Sequence, residues 1–194
     1  MKRLVGMVRQ HRIFAGITVL LVAAMVAVGA ALFQPWRLFT SSTLNEALPV
    51  APASAEPAAS VEPEASVNPA APSMPAANPA PAPVVVGAGS FQSQEHGTSG
   101  TAQLLRLPDG SYVVRLENLA SSDGPDVKVW LSSLEAGGDW FKYRSGRYVD
   151  LGPVKATHGN QNYAVPAGAD VTGMASVVLW CDRFSVAFGS APLA

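Results

Sequence analysis

The feature that most constrains this chain is an uncharged apolar run of 21 residues, residues 13–33. An α-helix rises about 1.5 Å per residue, so about 20 apolar residues cross a bilayer core of roughly 30 Å. Four cations precede the run, whereas Arg37 alone stands on its far flank. The positive-inside rule therefore predicts a cytoplasmic basic tail at residues 1–12 and a transmembrane signal-anchor at residues 13–33, with everything after it extracytoplasmic.

A cleaved signal peptide is the alternative interpretation of the same run. The apolar region of a signal peptide covers about 7–15 residues and leads to a cleavage site with small side chains. The run here is longer, and bulky Leu32, Phe33 and Trp36 lie where a peptidase requires small residues. Small residues around positions 27–31 leave an internal cleavage site open. Length favours a retained single-pass anchor in the cell membrane.

After the run, residues 40–86 have a different composition. Ten of the 16 prolines of the chain fall here, among Ala, Ser, Val and four Glu. Proline lacks a backbone donor, and the segment has too little apolar periodicity to build a core. We expect a disordered Ala/Pro-rich linker that holds the following domain away from the lipid.

Residues 87–194 carry the turn signals of a β protein. The tripeptide Pro-Asp-Gly at residues 108–110 is typical of a hairpin turn, here between strands at residues 101–107 and 111–119. Further strands are predicted at residues 127–131, 148–151, 163–165, 176–181 and 184–188. No window sustains a helical period of about 3.6 residues. The pattern predicts an all-β domain, an antiparallel β-sandwich or small barrel.

The charge of this domain argues against a nucleic-acid partner. It has 8 basic and 10 acidic residues, so it lacks the basic surface that a phosphate backbone requires. Residues 141–148 interleave aromatic and cationic side chains, which is also typical of a platform for a single strand or a glycan. We interpret the segment as a solvated edge of a β-hairpin that its cations protect from aggregation.

Residues 123–126, Asp-Gly-Pro-Asp, invite a calcium interpretation. Calcium takes about six to eight oxygen ligands, more than this one segment supplies. Glycine and proline set the backbone of a turn, and aspartates bond nearby amides. We therefore predict a turn, and no metal site.

Seven landmarks follow one another along the domain and together carry a resemblance. They are Gly89-Ser90-Phe91; His96 with Ser99-Gly100-Thr101-Ala102; Leu116-Glu117-Asn118-Leu119 with Gly124-Pro125-Asp126-Val127 and Trp130-Leu131-Ser132; Leu151-Gly152; Gly159-Asn160-Gln161-Asn162-Tyr163 with Val165-Pro166; Val177-Val178-Leu179-Trp180-Cys181 with Phe184-Ser185-Val186; and Ala191-Pro192-Leu193. In this order, over residues 87–194, they resemble the electron-transfer DM-thirteen domain, a module that also occurs beside DOMON domains. With its predicted anchor, the chain resembles a membrane-anchored member of bacterial type. The resemblance implies a β-sandwich. It also implies a redox role through one cysteine, acting as a bare thiol or as the ligand of a prosthetic group such as haem.

Cys181 matches the cysteine of that family and is the only cysteine of the chain. It ends an apolar strand, where Arg183 would favour its thiolate and Asp182 would oppose it. An unpaired cysteine is also commonly a small buried hydrophobe without reactivity. However, an unused thiol is a liability in the oxidising space outside a membrane. Both interpretations stay open, and the resemblance favours the redox one.

His96 and Trp180 complete the predicted cofactor-binding site around Cys181. His96 matches the early histidine of the family, and imidazole is an axial ligand of haem in other proteins. A loop histidine more commonly bonds a turn carbonyl or solvent. The sequence contains no Cys-x-x-Cys-His motif, which excludes covalent c-type haem. The identity of a cofactor is unknown from the sequence, and haem is the candidate.

Two functions therefore follow from the sequence. The first is a membrane-anchored extracytoplasmic redox domain whose partner is another membrane or cell-surface protein. The second is a non-catalytic β-sandwich that serves binding or adhesion at the cell surface, with Cys181 as packing. No nucleophile elbow, phosphate loop or dinucleotide fingerprint assigns an enzyme class.

Overall fold

The structure is a computed structural model that describes residues 2–49 and 82–194. Its first element is helix α1, Lys2–Phe33, whose apolar part, Phe14–Phe33, has a mean hydropathy of 2.5 and is not buried against the rest of the chain. Within the described residues, this is the one helix that is long and apolar enough to cross a membrane. The left-handed backbone of Gln34 separates α1 from a short 3₁₀ helix, Pro35–Phe39.

The strands that follow make two five-stranded sheets. Their bounds are β1 Thr43–Asn45, β2 Val84–Ser90, β3 Gln92–Ser93, β4 Ser99–Arg106, β5 Tyr112–Ala120, β6 Val127–Ser132, β7 Tyr148–Pro153, β8 His158–Ala164, β9 Ser176–Cys181 and β10 Val186–Pro192. Sheet A has the order β1-β8-β5-β4-β2, and sheet B has the order β3-β10-β9-β6-β7. Neighbouring strands are antiparallel except β1 and β8, which are parallel.

The predicted β-sandwich is confirmed, and no closed barrel forms from the described strands. The hairpin of β4 and β5 is the clearest success of the sequence pattern. Gly110 adopts φ 84°, a conformation that favours glycine, and Leu107 and Ser111 close the turn through a backbone hydrogen bond of 2.8 Å. Asp109 accepts a further hydrogen bond of 2.9 Å from the Ser111 amide, as turn aspartates commonly do.

The inner faces of the two sheets pack against each other and form the main core. Sheet A contributes residues such as Leu104, Val114 and Leu116, and sheet B contributes residues such as Val129 and Leu179. Sheet B also buries its outer face. The connection between β6 and β7 folds over that face and forms a second cluster, which comprises Trp130, Tyr143, Val178, Trp180 and Ala187 with Leu134 packed against it.

The ends of the predicted linker differ from expectation. β1 lies within residues 40–86 yet pairs with β8, in the register Thr43 to His158, and β2 already begins at Val84. β1 and β2 occupy opposite edges of sheet A, so residues 46–83 connect two edges of one sheet. The expected disorder of residues 50–81 lies outside the described residues.

The last predicted strand also begins later than expected. We predicted it at residues 184–188, but β10 is Val186–Pro192. Ser185 has φ 53°, in the left-handed region, so the chain is still turning at that position. The apolar Phe184 belongs to this turn and is 44% exposed.

Candidate functional site

Strand β9 carries two of the three predicted site residues, and it sends them to opposite sides of sheet B. Successive side chains of a strand alternate between its two faces. Cys181 therefore joins the core between the sheets, together with Val177 and Leu179. Trp180 joins the cluster on the outer face with Val178. The indole thus does not border the thiol, contrary to the single pocket that we expected.

Cys181 is fully buried. Its thiol donates a hydrogen bond to the carbonyl oxygen of Pro125, with 3.4 Å between sulfur and oxygen. Burial raises the pKa of this thiol, and hydrogen bonds from the backbone amides of Phe184 and Arg183 only partly oppose that effect. In this conformation Cys181 is therefore a protonated thiol without access to solvent.

The charged neighbours of Cys181 in sequence do not face its sulfur. The Asp182 carboxylate lies on the outer side of sheet B, where it accepts a hydrogen bond from Trp180. Arg183 instead donates through Nη1 to the backbone oxygen of Leu32, at 3.0 Å. The predicted electrostatic tuning of the thiol by these two side chains does not occur in this arrangement.

Residues 123–126 form the turn that we predicted, and this turn, here called the cover loop, shields the thiol. Arg37 Nη1 donates to Asp123 Oδ1 and to the Gly124 carbonyl, each at 3.2 Å. Thr40 donates to the other Asp123 oxygen at 2.8 Å. The segment after α1 is thus attached to the loop whose Pro125 carbonyl lies on the sulfur.

A cleft of about 480 Å³ borders the other side of the cover loop. Pro125 and Asp126 form part of its wall, and the three cations Arg37, Lys155 and Arg183 also line it. The carboxylates Asp123 and Asp126 line it as well, so the cover loop separates Cys181 from a cleft whose walls carry both signs of charge. Asp126 has φ 73°, an uncommon conformation for a residue with a side chain.

His96 lies against β10. Its Nε2 is 2.7 Å from Glu95 Oε2, and its ring meets the Phe188 ring edge-to-face at 4.0 Å between centroids. Among the described residues no hydrogen bond connects His96 to Cys181. The partner of His96 is therefore the neighbouring carboxylate of Glu95.

The family resemblance implied a prosthetic group such as haem, and the geometry does not fit one. An axial thiolate needs open space beside its sulfur, whereas Cys181 is sealed in the core and bonded to Pro125. Within the described residues no three His, Cys, Asp or Glu side chains form a group that could hold a metal ion. Cys181 and His96 do not form a haem site in this fold.

The outer face of sheet B holds a continuous column of aromatic rings, here called the aromatic column. Tyr148 stacks on Trp130 with 3.9 Å between ring centroids and an angle of 7° between planes. Trp130 stacks on Trp180 at 4.9 Å and 22°, and Tyr143 meets Trp180 edge-to-face at 6.3 Å. These contacts follow from register: Lys128 pairs with Trp180, so Trp130 on the same face of β6 is a diagonal neighbour of Trp180.

The column ends at a charged cluster centred on Asp182. Trp180 Nε1 donates to Asp182 Oδ1 at 3.1 Å, and Arg144 donates to the same oxygen at 2.7 Å. Lys128 Nζ is 2.5 Å from Asp182 Oδ2. Burial raises the pKa of Asp182, but the hydrogen bonds from Lys128 and Arg144 outweigh that effect and lower it overall. The same hydrogen bond from Lys128 to Asp182 raises the pKa of the lysine to about 12.

Sequence reasoning missed most of the aromatic column. Trp130 and Tyr148 were assigned to strands without any role, and Tyr143 was placed on a solvated hairpin edge. That last interpretation is wrong: Lys142–Ser145 is a 3₁₀ turn, and Tyr143 is fully buried with its hydroxyl 2.9 Å from Ser190 Oγ. Period-two alternation along β9 does indicate that Trp180 and Cys181 lie on opposite faces of the sheet. Nothing in the sequence pattern indicates that a connection covers the outer face.

Comparisons with known proteins give one result. The family model for Electron transfer DM13 matches residues 90–193, which are 104 of the 194 residues of the chain. Neither a curated protein nor a solved structure matches the chain. The matched region begins at the end of β2 and contains every later strand of both sheets. The chain therefore belongs to the Electron transfer DM13 family.

Proposed function

We propose that the protein is a single-pass membrane protein that presents an electron-transfer domain on the outer side of the cytoplasmic membrane. Residues 1–12 lie in the cytoplasm, α1 anchors the chain, and the domain exchanges electrons with another membrane or cell-surface protein. Family membership supports the redox class of this function. The apolar helix and the cations before it support the anchor and its orientation.

Contacts at the end of α1 support a domain that stays close to the bilayer. The Phe33 ring stacks on the Phe184 ring of the turn after β9, with 5.8 Å between centroids. Arg183 of the same turn bonds the backbone of Leu32. The pairing of β1 with β8 ties the chain to sheet A shortly after α1 ends. The reach towards a partner is therefore short, and the partner lies in or on the same membrane.

Cys181 is the redox residue in this proposal, acting as a thiol. The observation that carries this assignment is that a single loop, through its Pro125 carbonyl, separates the sulfur from the cleft. Movement of the cover loop would expose the thiol to the cleft. The cation Arg183 there favours the thiolate, which is the reactive form of cysteine.

The chemistry in the open state is thiol–disulfide exchange with the partner. The Cys181 thiolate, having given its proton to water, attacks one sulfur of a partner disulfide. A new sulfur–sulfur bond forms, the old one breaks, and the electron pair leaves with the second partner sulfur as a thiolate. A dithiol of a donor protein completes the exchange: its first thiolate attacks the Cys181 sulfur and releases the partner as a dithiol, and its second thiol frees Cys181 as the donor becomes a disulfide, so that two electrons pass from donor to partner. In the closed state burial keeps the thiol protonated and protects it from oxidation.

The test is the rate at which an aromatic disulfide reagent labels the folded full chain. Cys181 is the only cysteine, so labelling reports on it alone. Arg37→Ala removes the hydrogen bonds that hold the cover loop and should accelerate labelling. Arg106→Ala is the matched control, because Arg106 is an exposed arginine at the end of β4 and does not contact the loop.

Acceleration by Arg37→Ala alone supports the thiol mechanism. Equal rates in all variants, with labelling only under conditions that unfold the domain, would overturn it. For the orientation, a protease added to intact spheroplasts should digest the domain and spare a tag placed before residue 1. Loss of that tag from the mature protein would instead support a cleaved signal peptide.

A non-catalytic binding or adhesion module is the second candidate, and the complete burial of Cys181 favours it. In that case the sulfur only fills space in the core. Cys181→Ser would then leave partner capture and function in the cell intact. Loss of function in a folded Cys181→Ser protein excludes this candidate.

A further inference from the structure

The aromatic column offers a route for electrons that does not use the sulfur of Cys181. We propose that Tyr148, Trp130 and Trp180 form a relay that moves single oxidising equivalents between the protein surface and the Asp182 cluster. The proposal rests on the electron-transfer function and adds the residues that carry the electron. It assigns a function to the face of sheet B opposite the family cysteine.

The first argument is the spacing of the rings. Tyrosine and tryptophan are the protein side chains most readily oxidised by one electron without a metal. Their rings are in direct contact here, at 3.9 Å between Tyr148 and Trp130 and 4.9 Å between Trp130 and Trp180. Electron transfer falls off steeply with distance, so contacts of this length allow rapid steps from ring to ring.

The second argument is the order of exposure along the column. Tyr148 is 42% exposed, whereas Trp130 is 1% and Trp180 is 0% exposed. The phenol is therefore the ring through which the column meets solvent, and the two indoles lie behind it. The exposed phenol can also release its proton to water, which tyrosine oxidation requires.

The third argument is the environment of each indole nitrogen. Within the described residues Trp130 Nε1 has no hydrogen-bond acceptor, so an oxidised Trp130 keeps its proton and remains a cation. Trp180 Nε1 instead donates to the Asp182 carboxylate at 3.1 Å. That carboxylate also pairs with the cations Lys128 and Arg144, so its charge gives a Trp180 radical cation little net stabilisation. Neither indole is exposed to water, whereas the phenol of Tyr148 is, and the oxidising equivalent therefore comes to rest on Tyr148.

The electrons and protons balance at every step. A one-electron oxidant of a partner protein docked at the Asp182 cluster, an organic radical or a high-valent haem, takes one electron from Trp180 and leaves a radical cation. Trp130 gives one electron to the Trp180 radical cation. Tyr148 then gives one electron to the Trp130 radical cation, and the phenolic proton goes to water. A one-electron donor of the phenol or ascorbate class reduces the tyrosyl radical, which regains a proton from water, and completes one turnover.

A role in packing alone makes a different prediction. Phenylalanine fills nearly the same space as tyrosine and can stack in its place, but it is not oxidised under these conditions. Substitution by phenylalanine therefore keeps the stack and removes the relay. Tyr148→Phe is the cleanest variant because the ring is at the surface and its replacement is not expected to disturb folding.

The experiment uses the full chain in lipid nanodiscs with Trp36→Phe and Trp140→Phe. These changes remove the two exposed tryptophans, at 52% and 41% exposure, so that the two buried ones remain of the four in the chain. A flash-quench ruthenium tris-bipyridine oxidant then generates radicals. Transient absorption and electron paramagnetic resonance distinguish tyrosyl from tryptophanyl radicals.

The relay predicts a tryptophanyl signal that decays as a tyrosyl signal rises. Tyr148→Phe should leave a long-lived tryptophanyl radical, and Trp130→Phe should interrupt the column, so that the Trp180 radical persists and the tyrosyl signal falls. Tyr112→Phe is the control, because Tyr112 is a partly buried tyrosine on β5 of the other sheet, and it should change nothing. A tryptophanyl signal that is absent from the background protein, or unchanged by Tyr148→Phe, overturns the relay.

The result is separable from the thiol mechanism. Cys181→Ser in the same background should keep the tryptophanyl signal, and Trp130→Phe should keep the labelling rate of Cys181. A relay that fails while the cover-loop experiment succeeds overturns this inference alone. The reverse result removes the thiol mechanism and leaves the column as the electron carrier.

Discussion

The two faces of strand β9 differ in chemistry although they are one residue apart in sequence. On the inner face, Cys181 lies among aliphatic side chains such as Val177 and Leu179, and its thiol has a single carbonyl acceptor. On the outer face, Trp180 lies among aromatic rings and touches a carboxylate. Cys181, the residue that the family resemblance indicates, therefore lies on one side of sheet B. The aromatic column and the Asp182 cluster lie on the other side.

The cause of this difference is the connection between β6 and β7. A sheet of a two-layer sandwich normally exposes its outer face to solvent. Here Leu134 and Tyr143 cover that face, which buries the rings of Trp130 and Trp180 and leaves the charged groups at their margin. The outer face is thus a second core with a polar rim. Substitutions on the two faces of β9 should therefore differ in their cost to stability.

The largest effect is expected for Trp180→Ala. Truncation of a buried tryptophan to alanine costs about 3–5 kcal/mol, because it removes buried apolar area and leaves a cavity. It also leaves the Asp182 carboxylate without one donor. Denaturant unfolding of the domain measures the loss. The control is Trp140→Ala at an exposed tryptophan, which should cost much less. Equal losses in the two variants would break the claim that the outer face is a core.

Asp182→Asn should cost about 1–3 kcal/mol, since Lys128 and Arg144 lose the charge of their acceptor. The loss should also depend on pH. The pKa of Asp182 is lowered from its ordinary value of 3.8, so its contribution is present above that pH and is lost as the pH falls through the folded-state value. The stability difference between the variant and the parent should therefore shrink in acid. A difference that is constant with pH would contradict the ion-pair account.

Cys181→Ala should cost about 1 kcal/mol, because it removes only a small side chain from the inner core. The pKa of the thiol is raised from 9.0, so the folded parent should label slowly at neutral pH and faster as the pH rises. Stopped-flow labelling across pH checks this order. Rapid labelling at neutral pH would show that the inner face is more open than the closed geometry indicates.

Tyr148→Phe should change stability by less than about 0.5 kcal/mol, since the ring is half-exposed and phenylalanine preserves its stacking on Trp130. Thermal unfolding measures the difference. Because the expected effect on folding is this small, a longer-lived tryptophanyl radical in this variant reports on the loss of the phenol and not on unfolding. A large loss of stability would show that Tyr148 is a structural residue first.

Much of the fold could be predicted from alternation and turn chemistry. The hairpin turn at Asp109-Gly110 and the strand that ends at Cys181 lie where the sequence pattern put them. The start of β10 was misplaced because the apolar Phe184 continues the strand pattern while the backbone at Ser185 is still turning. β1 was missed because three residues beside a proline-rich segment have no pattern of their own until β8 supplies the hydrogen bonds.

The candidate site was predicted less well. Cys181 was identified through the family resemblance, and its separation from Trp180 follows from alternation along β9. The burial of its sulfur under the cover loop and the contact of His96 with Phe188 depend instead on which elements lie beside one another. The burial of Tyr143 depends on a connection folding over a sheet, and the charges around it suggested an exposed edge. Local patterns report which face a residue occupies and not what covers that face.

Local composition, periodicity and ordered landmarks are enough to predict an apolar helix before a β domain, together with the class and the family of that domain. They do not indicate that a loop shields the thiol, that four aromatic rings join into a column or that β1 returns the chain to sheet A. Burial and ring contact arise from residues far apart in sequence, whose distances are set by strand register and by the path of connections.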